Sequence, residues 1–567
     1  MKGIMVYGKK TYSEIKKRIR KLAIKLNSVP HYLLQEECCG SGFPLGTKNV
    51  SFKKHYVAKP ANVDGHIGIF GGTGTGKSTC IAQNALEQWT APFVAADLDC
   101  ELSDRYRTMK LQKKRRIKVI NFTRRNKKSS SYDPFYSLGL GGQEQLFEGV
   151  IALVNCLIPI ENSEIEPFWK EASRDLVAAF IIYYINEGRD FNTTMSFIHN
   201  IPHAEIITGI AAGDNALAKA LISQFVGVNR KDLANNKMLL SISTTIKTYI
   251  RPFATNPTIR AAFAPSKNML TWDDADKCNI FISVDHERLE QYGGAMRLIF
   301  TQLIKHLQRR PNKDASSRRK VKPLLLMMDE FPAYGKMDIM TEALATLRKK
   351  GVTIALFAQS LSQFDMIYSA NDRKVILDNL SYLAIMRVSE PDSQLYLANR
   401  IGYRRTENVS FGKNFAADMK TVTSHTLHRN YQLEYIVTPT ELGKLKDIVL
   451  VTPEGVCRTD KEPYYEKTQD DIFTAYVKML KRTVNMAAKK IKPILKESLI
   501  QIGAIVLCSI MKKRKKKEKD LHNSLDATIQ RRRSKKRKKS KWKGVIIDAW
   551  EKFCAVIFQR LTGFNPA

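Results

Sequence analysis

The feature that most constrains this chain is a glycine-rich segment, GGTGTGKS, at residues 71–78. It matches the pattern G-x-x-x-x-G-K-[ST] and lies between an apolar run and a helix-forming stretch, the context in which that pattern cradles phosphates. The glycines let backbone N–H groups turn inward around an anion, and the helix that begins there offers its positive dipole end. These flanks disfavour the alternative of a glycine-rich loop that binds nothing.

The same segment supplies candidate contacts for a nucleotide and its metal. Lys77 can reach the β and γ phosphates, and the Ser78 hydroxyl can ligate Mg²⁺. We therefore expect ATP and Mg²⁺ as cofactors. The predicted nucleotide contacts are Gly71, Gly72, Thr73, Gly74, Thr75, Gly76, Lys77, Ser78 and Thr79.

Short apolar runs separated by helix-forming stretches predict an α/β fold around a mostly parallel sheet. Between about residue 140 and residue 262 the strand signals nearly vanish, and apolar residues recur at spacings of three and four, which predicts an inserted all-α domain. The runs typical of buried strands are residues 66–70, 93–97, 117–122, 279–284, 324–329, 353–359, 381–388 and 447–453.

Three polar side chains follow two of these predicted strands. Asp329 ends the run LLLMMD and Glu330 follows directly, a pair that can orient Mg²⁺ and accept a proton from water attacking the γ-phosphate. Such a pair suits hydrolysis better than nucleotide storage. Gln359 ends the run TIALFAQ, where its amide could contact both the γ-phosphate and that water. Satisfying buried backbone groups at the strand end is an equally compatible role for Gln359.

The charge balance indicates an anionic partner. The formal net charge is +37, an excess that most often reflects contact with nucleic acid or an anionic membrane surface. Residues 471–567 contain 26 basic and 7 acidic side chains, so this tail carries +19 and the rest of the chain +18. A basic surface that serves only solubility is the less favoured alternative.

Both ends of the chain carry basic patterns. Residues 12–26 predict an amphipathic basic helix, and the blocks at 512–520 and 531–543 predict segments that stay extended until something anionic binds. We therefore predict a basic C-terminal tail that is partly helical and partly disordered. Residues 542–561 place apolar side chains at helical spacing, which would suit docking on a partner, on a membrane surface or on the protein's own core.

Neither a membrane span nor a disulfide framework is predicted. No signal-peptide pattern is evident and no apolar run reaches the roughly 18 residues of a span; for the longest, residues 499–511, we predict a buried or interfacial helix. The nine cysteines include no CxxC pair, and their odd number fits a reducing cytoplasm. Adjacent Cys38 and Cys39 could form a reactive pair, although two idle thiols are the simpler interpretation.

Taken together, the motifs resemble one family, the TraG/TraD-like type IV secretion coupling proteins, which are P-loop ATPases that deliver DNA to conjugation channels. The resemblance rests on DEFPAYGKMDIMTEALATLRKKG, on ALFAQSLSQFDMIY with ILDNLSYLAIMRVSEPDSQLYLANRIG, and on SSSYDPF, EPFWKEASRDLVAAF and IVTPTELGKLKDIVLVTPEG, in order between residue 66 and about residue 455. It implies a RecA-like motor domain with an all-α insertion, assembled as a homo-hexameric ring.

The resemblance also assigns roles to residues. It implies that Lys77 and Ser78 hold phosphate and Mg²⁺, that Asp329 is the Walker B acid, and that Glu330 is the catalytic base. It further implies that Gln359 is the sensor and that Arg348 is an arginine finger entering the neighbouring subunit's site. For Arg348, a solvated position on a helix beside Lys349 and Lys350 is the alternative.

Two departures from the family pattern concern the second strand and the membrane. Asp99 stands where the family usually has a lysine, which leaves that contact open. The usual amino-terminal membrane helices are not recognisable, so we expect a cytoplasmic protein that is peripheral on the inner face of the cell membrane, attached through a partner or through basic surface helices. The predicted organisation is a basic segment (1–54), a nucleotide-binding part (55–139), the helical insertion (140–262), a second nucleotide-binding part (263–470) and the basic tail (471–567).

The functional hypothesis is an ATP-driven DNA translocase that brings a DNA–relaxase substrate to a type IV secretion channel. The expected partners are DNA, a relaxase and components of the channel. A chromosome translocase similar to FtsK or HerA shares the ATP site but does not explain EPFWKEASRDLVAAF or the helical insertion. A docking receptor that binds a nucleotide without using it as fuel is the alternative of a different class, and Glu330 argues against it.

Overall fold

A computed structural model of the chain describes residues 29–466 except 36–41, 51–52, 110–114, 137, 139–141, 161–165, 226–227, 314–320 and 416–421. The chain divides into two compact units, residues 1–475 and 476–567, and every described residue belongs to the first. Several predictions therefore lie outside the described residues: the helix at 12–26, Cys38 and Cys39, and the segments 499–511, 512–520, 531–543 and 542–561.

The strands of the described residues are numbered here in chain order. They are β1 Leu34–Gln35, β2 Gly42–Val50, β3 Lys53–Pro60, β4 Ile67–Phe70, β5 Phe93–Leu98, β6 Ile117–Asn121, β7 Ser131–Tyr132, β8 Met269–Leu270, β9 Asn279–Val284, β10 Leu324–Met328, β11 Val352–Ala358, β12 Tyr382–Ile385, β13 Tyr403–Phe415, β14 Val422–Tyr435, β15 Ile448–Thr452 and β16 Gly455–Thr459.

The helices are numbered in the same way. They are α1 Gln83–Gln88, α2 Glu101–Thr108, α3 Gln143–Leu157, α4 Phe168–Asn186, α5 Phe191–Asn200, α6 His203–Ala212, α7 Ala216–Leu221, α8 Arg230–Ala234, α9 Lys237–Thr255, α10 Pro257–Ala262, α11 Leu289–Gln308, α12 Ile339–Thr346, α13 Ser362–Ile367, α14 Ala370–Asp378, α15 Pro391–Ile401 and α16 Pro439–Leu442. Within the described ranges, no helix is long and apolar enough to cross a membrane.

The centre of the fold is a mixed sheet, which within the described residues has nine strands in the order β16-β15-β12-β4-β11-β10-β5-β9-β6. Neighbouring strands from β12 to β6 run parallel, whereas β15 and β16 add an antiparallel edge beside β12. Strands β4, β9, β10, β11 and β12 are buried at every position, as expected for a sheet covered on both faces. The eight predicted strands all belong to this sheet, with ends shifted by a few residues, so the predicted α/β fold is confirmed.

Helices α3 to α10 fill the interval between β7 and β8, and several begin at an asparagine or aspartate whose side chain accepts a hydrogen bond from the first turn. Phe263, which is buried, joins this helical region to the sheet. Its ring contacts Phe191 of α5 and Phe253 of α9 at centroid distances of 5.3 and 6.4 Å, and Phe122 beyond β6 at 6.2 Å. The helical character predicted here is observed in the described residues, while the domain boundaries themselves stay predictions.

Among the described residues, three smaller sheets and strand β16 have no counterpart in the predicted strands. The shortest of these sheets is the parallel pair of β7 and β8. Strands β1, β3 and β2 form an antiparallel sheet, in that order, ahead of β4. Strands β13 and β14 form a long antiparallel hairpin between α15 and α16. Within the described residues neither strand of the hairpin pairs with any other strand.

The small amino-terminal sheet contributes a buried lysine to the core. The side chain of Lys59 in β3 is 0% exposed, and its Nζ donates hydrogen bonds to the Val63 carbonyl at 2.5 Å and to the Thr353 hydroxyl at 3.2 Å. Burial lowers the pKa of Lys59 to about 7, and the charge of Lys313 adds to this lowering. The core therefore holds an amine that is more easily deprotonated than a lysine in water.

This burial makes a prediction for the pH dependence of stability. Below about pH 7, Lys59 is charged in both the folded and the unfolded state, and burial of this charge lowers the free energy of unfolding by its full amount. Between about pH 7 and the pKa of an exposed lysine, unfolding takes up a proton at Lys59, so this penalty decreases and the stability of the protein rises as the pH rises. We expect Lys59→Met to raise the thermal midpoint more at pH 6 than at pH 9. Lys219→Met, at a less buried position on α7, is the control; an equal effect of Lys59→Met at both pH values would contradict the shifted pKa.

Candidate nucleotide site

The glycine-rich loop begins where β4 ends and is fixed to two neighbouring strands by its backbone. The Gly71 N–H donates to the Ala358 carbonyl at the end of β11 at 3.2 Å, and the Gly72 N–H donates to the Arg387 carbonyl beyond β12 at 2.8 Å. A side chain at Gly71 would place its Cβ 2.8 Å from Met386 Cβ, so only glycine fits this approach. Gly76 has a φ of 99°, the left-handed conformation that glycine adopts without cost.

Lys77 lies at the centre of the loop. It begins a π-helical turn, Lys77–Ala82, that leads into α1. Its side chain is buried, and Nζ donates to the carbonyls of Gly71 at 2.5 Å and Gly72 at 3.4 Å. Burial lowers the pKa of Lys77, while the charges of Glu330 and Asp329 oppose that shift. The two acids are therefore close enough to act on the lysine, as the predicted constellation requires.

Asp329 and Glu330 follow β10, the second neighbour of β4 in the sheet. Burial, reinforced by the charge of Glu330, raises the pKa of Asp329 to about 6, and Lys77 acts in the opposite direction. Among the described residues, Asp329 Oδ1 is a buried oxygen that accepts no hydrogen bond. An unpartnered buried carboxylate oxygen close to the P-loop lysine is a suitable ligand for a hard cation such as Mg²⁺.

Glu330 is held by its backbone and by both of its carboxylate oxygens. Its φ is 47°, a left-handed conformation that is uncommon outside glycine and is found often at functional sites. Oε1 accepts a hydrogen bond from Gln359 Nε2, and Oε2 lies 3.5 Å from His286 Nε2. The carboxylate is thus oriented by two partners from two other strand ends.

Gln359 connects the two halves of the site. It follows β11, which lies between β4 and β10, so its side chain stands between the loop and the acids. Its Oε1 accepts a hydrogen bond from the Thr73 hydroxyl at 3.1 Å, while its Nε2 donates to Glu330. The side chain therefore spans the predicted site, in preference to satisfying backbone groups at the strand end.

The structure adds His286 and clarifies the position of Asp99. His286 lies in a short turn after β9, and its backbone N–H donates to Asp99 Oδ1 at 2.9 Å. Asp99 itself has a φ of 55° at the end of β5. Where the family usually has a lysine, this chain therefore has a carboxylate that fixes the turn carrying His286. Sequence reasoning missed His286, although DHE directly after the predicted strand NIFISV was a signal that could have indicated it.

The last described segment of the chain lies against the helix that follows the loop. The Tyr464 N–H donates to the Thr79 carbonyl at 3.0 Å, and Asn84 Nδ2 donates to the Glu462 carbonyl at 2.8 Å. Arg105 lies over the Tyr464 ring, 4.3 Å from its centroid. Residues 461–466 are thus attached to the back of the nucleotide site.

Arg348 is not brought to this site within one chain. It is exposed in the turn Leu347–Lys350, which precedes β11, and its charge acts on His66 at the start of β4. Because the strands are parallel, that is the amino-terminal edge of the sheet, whereas the loop lies at the carboxyl edge. The predicted role of Arg348 in a neighbouring subunit stays a prediction.

Comparisons with known proteins find several relatives of this chain. The chain is 23% identical over 418 residues to Protein VirD4 from Rhizobium radiobacter, and 21% identical over 348 residues to Conjugal transfer protein TraG from the same organism. These alignments cover 72% and 59% of this chain but only 58% and 52% of the relatives, so the chain spans less than two thirds of their length.

Solved structures of the plasmid coupling protein TrwB share the fold. The complex of TrwB with a non-hydrolysable ATP analogue, ADPNP, matches with a TM-score of 0.53 at 16% identity, covering 72% of this chain and 87% of that one. The complex with ADP and Mg²⁺ matches with a TM-score of 0.50 at 16% identity, covering 70% and 85%. This likeness confirms the RecA-like P-loop fold.

The broadest match is to a family rather than to a single protein. The family described as type IV secretory system conjugative DNA transfer matches residues 25–498, which include the loop, the acids, the helical region and the hairpin. With the relatives and the fold in agreement, the chain belongs to the type IV secretory system conjugative DNA transfer family.

Proposed function

We propose that this protein is an ATP-driven coupling protein that moves DNA to a type IV secretion channel. The observation that carries the proposal is the set Thr73–Gln359–Glu330, joined by hydrogen bonds beside Asp329 and Lys77. Storage of a nucleotide does not need a carboxylate held in place by two partners, whereas hydrolysis does. Membership of the conjugative DNA transfer family and the net charge of +37 support DNA as the molecule that the protein moves.

ATP and Mg²⁺ fit the residues present. Lys77 and the backbone N–H groups of residues 71–79 would hold the phosphates, while the Ser78 hydroxyl and the unpartnered Oδ1 of Asp329 would hold the metal. Bound Mg²⁺ would neutralise charge on the phosphates. The ADPNP and ADP–Mg²⁺ complexes of TrwB support the same pair of cofactors for this chain.

Side chains of this chain would then have separate roles in hydrolysis. Glu330 would accept a proton from the attacking water, and Gln359 would orient that water and report whether the γ-phosphate is present. His286 would keep the Glu330 carboxylate in position through its contact with Oε2. Because Arg348 lies at the opposite edge of the sheet, it can serve as a finger only in another copy, which a homo-hexameric ring would supply.

The same proposal covers partners and location. DNA would be gripped through sequence-independent phosphate contacts by lysines and arginines, and a relaxase bound to that DNA would be delivered with it to components of the channel. The protein would be peripheral on the inner face of the cell membrane, attached through a partner or basic surface helices. The match to a conjugative transfer family favours this function over a chromosome translocase of the FtsK or HerA type.

The proposal is tested by hydrolysis with and without DNA. We expect single-stranded DNA at low salt to stimulate ATP hydrolysis, and we expect Glu330→Gln to lower kcat by about 100-fold or more, because an amide cannot accept the proton. Phosphate release measures the rate, and a fluorescent ATP analogue checks that binding survives. Glu454→Gln, on the exposed turn between β15 and β16, should keep the wild-type rate.

Two outcomes would contradict the proposal. If DNA does not change the rate of ATP hydrolysis by the wild-type protein, this result would argue against translocation. Undiminished DNA transfer by Glu330→Gln in a conjugation assay would instead favour a docking receptor that only stores its nucleotide.

His286 gives a second prediction at the same site. Because its imidazole contacts Glu330 Oε2, we expect His286→Ala to lower kcat about threefold to tenfold through loss of carboxylate alignment, with the KM for ATP unchanged. His199→Ala, at a half-buried position on α5 in the helical region, is the control and should keep both constants. A rise in KM at constant kcat would show that His286 acts in nucleotide binding and not in positioning Glu330.

A further inference from the structure

The hairpin β13–β14 has two different faces. Its register pairs Tyr403 with Tyr435 and Arg405 with Leu433, and alternation places these residues with Glu407, Arg429 and Tyr431 on one face. We call this set the aromatic face. The opposite face carries Arg404, Thr406, Asn430, Gln432 and Glu434, all of them polar. The aromatic face also carries charged side chains, but its large rings and Leu433 make it the less polar of the two, and the less polar face of a sheet is normally the one that packs against something.

The side chains of the aromatic face are largely exposed to solvent. Tyr403 is 49% exposed, Tyr431 is 54% exposed and Leu433 is 70% exposed, so three large side chains on one face are exposed together, which is typical of an interaction surface. Leu395 of α15 is also 49% exposed, and Asn399 one turn later accepts hydrogen bonds from Tyr403 and Tyr435. The exposed surface therefore continues from the helix onto the hairpin.

The chemistry of this face favours the flat, anionic partner that nucleic acid provides. The Arg405 guanidinium lies 3.9 Å from the centroid of the Tyr431 ring, and the rings of Tyr403 and Tyr435 are 4.6 Å apart. Within the described residues Arg405 forms no ion pair, whereas Arg404 on the opposite face lies 3.7 Å from Glu434 and Arg429 lies 3.6 Å from Glu407. Aromatic rings and guanidinium planes stack on unpaired bases, and a free positive charge suits the adjacent phosphates.

The base of the hairpin is linked by contacts to the nucleotide site. The first turn of helix α15 contacts the segment that follows β11. The Leu361 N–H, two residues after Gln359, donates to Ser393 Oγ at 2.8 Å. The other end of α15 holds the hairpin through Asn399 Oδ1, which lies 2.7 Å from the Tyr403 hydroxyl and 3.0 Å from the Tyr435 hydroxyl. One helix therefore contacts both the segment that follows Gln359 and the aromatic face.

We propose that the aromatic face is a binding site for single-stranded DNA, on which unpaired bases stack against Tyr403, Tyr431 and the Arg405 guanidinium. The proposal rests on the proposed function, because it names the form of DNA that the motor holds and the surface that holds it. A duplex keeps its bases stacked on one another and offers these side chains no free ring face.

The two neighbouring arginines provide a matched pair of variants for the test. Arg405→Gln changes the aromatic face, and Arg404→Gln makes the same charge change on the opposite face. Tyr431→Leu removes the aromatic ring but keeps an apolar side chain. The probe is a fluorescent oligo(dT) of about 30 nucleotides, which is longer than the several nucleotides that one single-strand site usually holds. A duplex of equal length is measured for comparison. Fluorescence anisotropy on the full-length protein without nucleotide gives the Kd at several salt concentrations.

We expect Arg405→Gln and Tyr431→Leu each to raise the Kd for oligo(dT) by at least about fivefold, the loss typical of one stacked base. Arg404→Gln should stay within about twofold of the wild type, and the duplex Kd should change little in any variant. Tyr431→Leu should keep the wild-type salt dependence, because it removes no charge. Thermal unfolding midpoints close to that of the wild type establish that the variants are folded.

Several results would overturn this proposal. Equal losses for Arg404→Gln and Arg405→Gln would show that only net charge matters, and equal losses for duplex and single strand would exclude base stacking. Unchanged oligo(dT) binding with a changed sedimentation coefficient would assign the face to contacts between copies of this chain. If oligo(dT) binding is unchanged while DNA still stimulates hydrolysis by the wild type, only this inference fails. If the wild type binds no DNA, the proposed function fails with it.

Discussion

The hydrogen bonds from the Gly71 and Gly72 N–H groups to the carbonyls of Ala358 and Arg387 fix the geometry on which the rest of the structure depends. They attach the phosphate loop to the ends of the strands on either side of β4. Since β11 lies between β4 and β10, the same arrangement places Gln359 between the loop and the paired acids. A small shift in strand order or register would separate these groups.

Much of this site could be predicted from the sequence because its parts are local. The loop is a continuous motif, and Asp329, Glu330 and Gln359 lie at or next to the end of apolar runs whose length and flanks favour buried strands. Parallel strands bring their carboxyl ends to one edge, so the approximate meeting of these residues followed from the strand pattern. What the pattern could not give is the bonding between them: the amide of Gln359 spans from Thr73 to Glu330, and this depends on side-chain packing.

The features that were missed have weaker local signals. His286 lies in a turn outside any motif, and only the position of Asp99, which binds its backbone, explains why it reaches Glu330. Strand β2 contains glycine and proline, and the polar face of the hairpin dilutes the apolar signal of the other face. Arg348 illustrates a different limit: its predicted partner lies in another copy of the chain, so the fold of one subunit can locate it but cannot assign its role.

The contacts of residues 461–466 have a mechanical consequence. Because the Tyr464 backbone and the Glu462 carbonyl are bonded to Thr79 and Asn84, the polypeptide leaves the described fold from the back of the phosphate loop's own helix. Tension applied to the chain beyond residue 466 would reach Thr79 and Asn84 before it reached the strands of the central sheet. A cargo or anchor attached to that part of the chain would therefore pull on the nucleotide site directly, so that load would be coupled to this site by two hydrogen bonds, one of them from the Asn84 side chain.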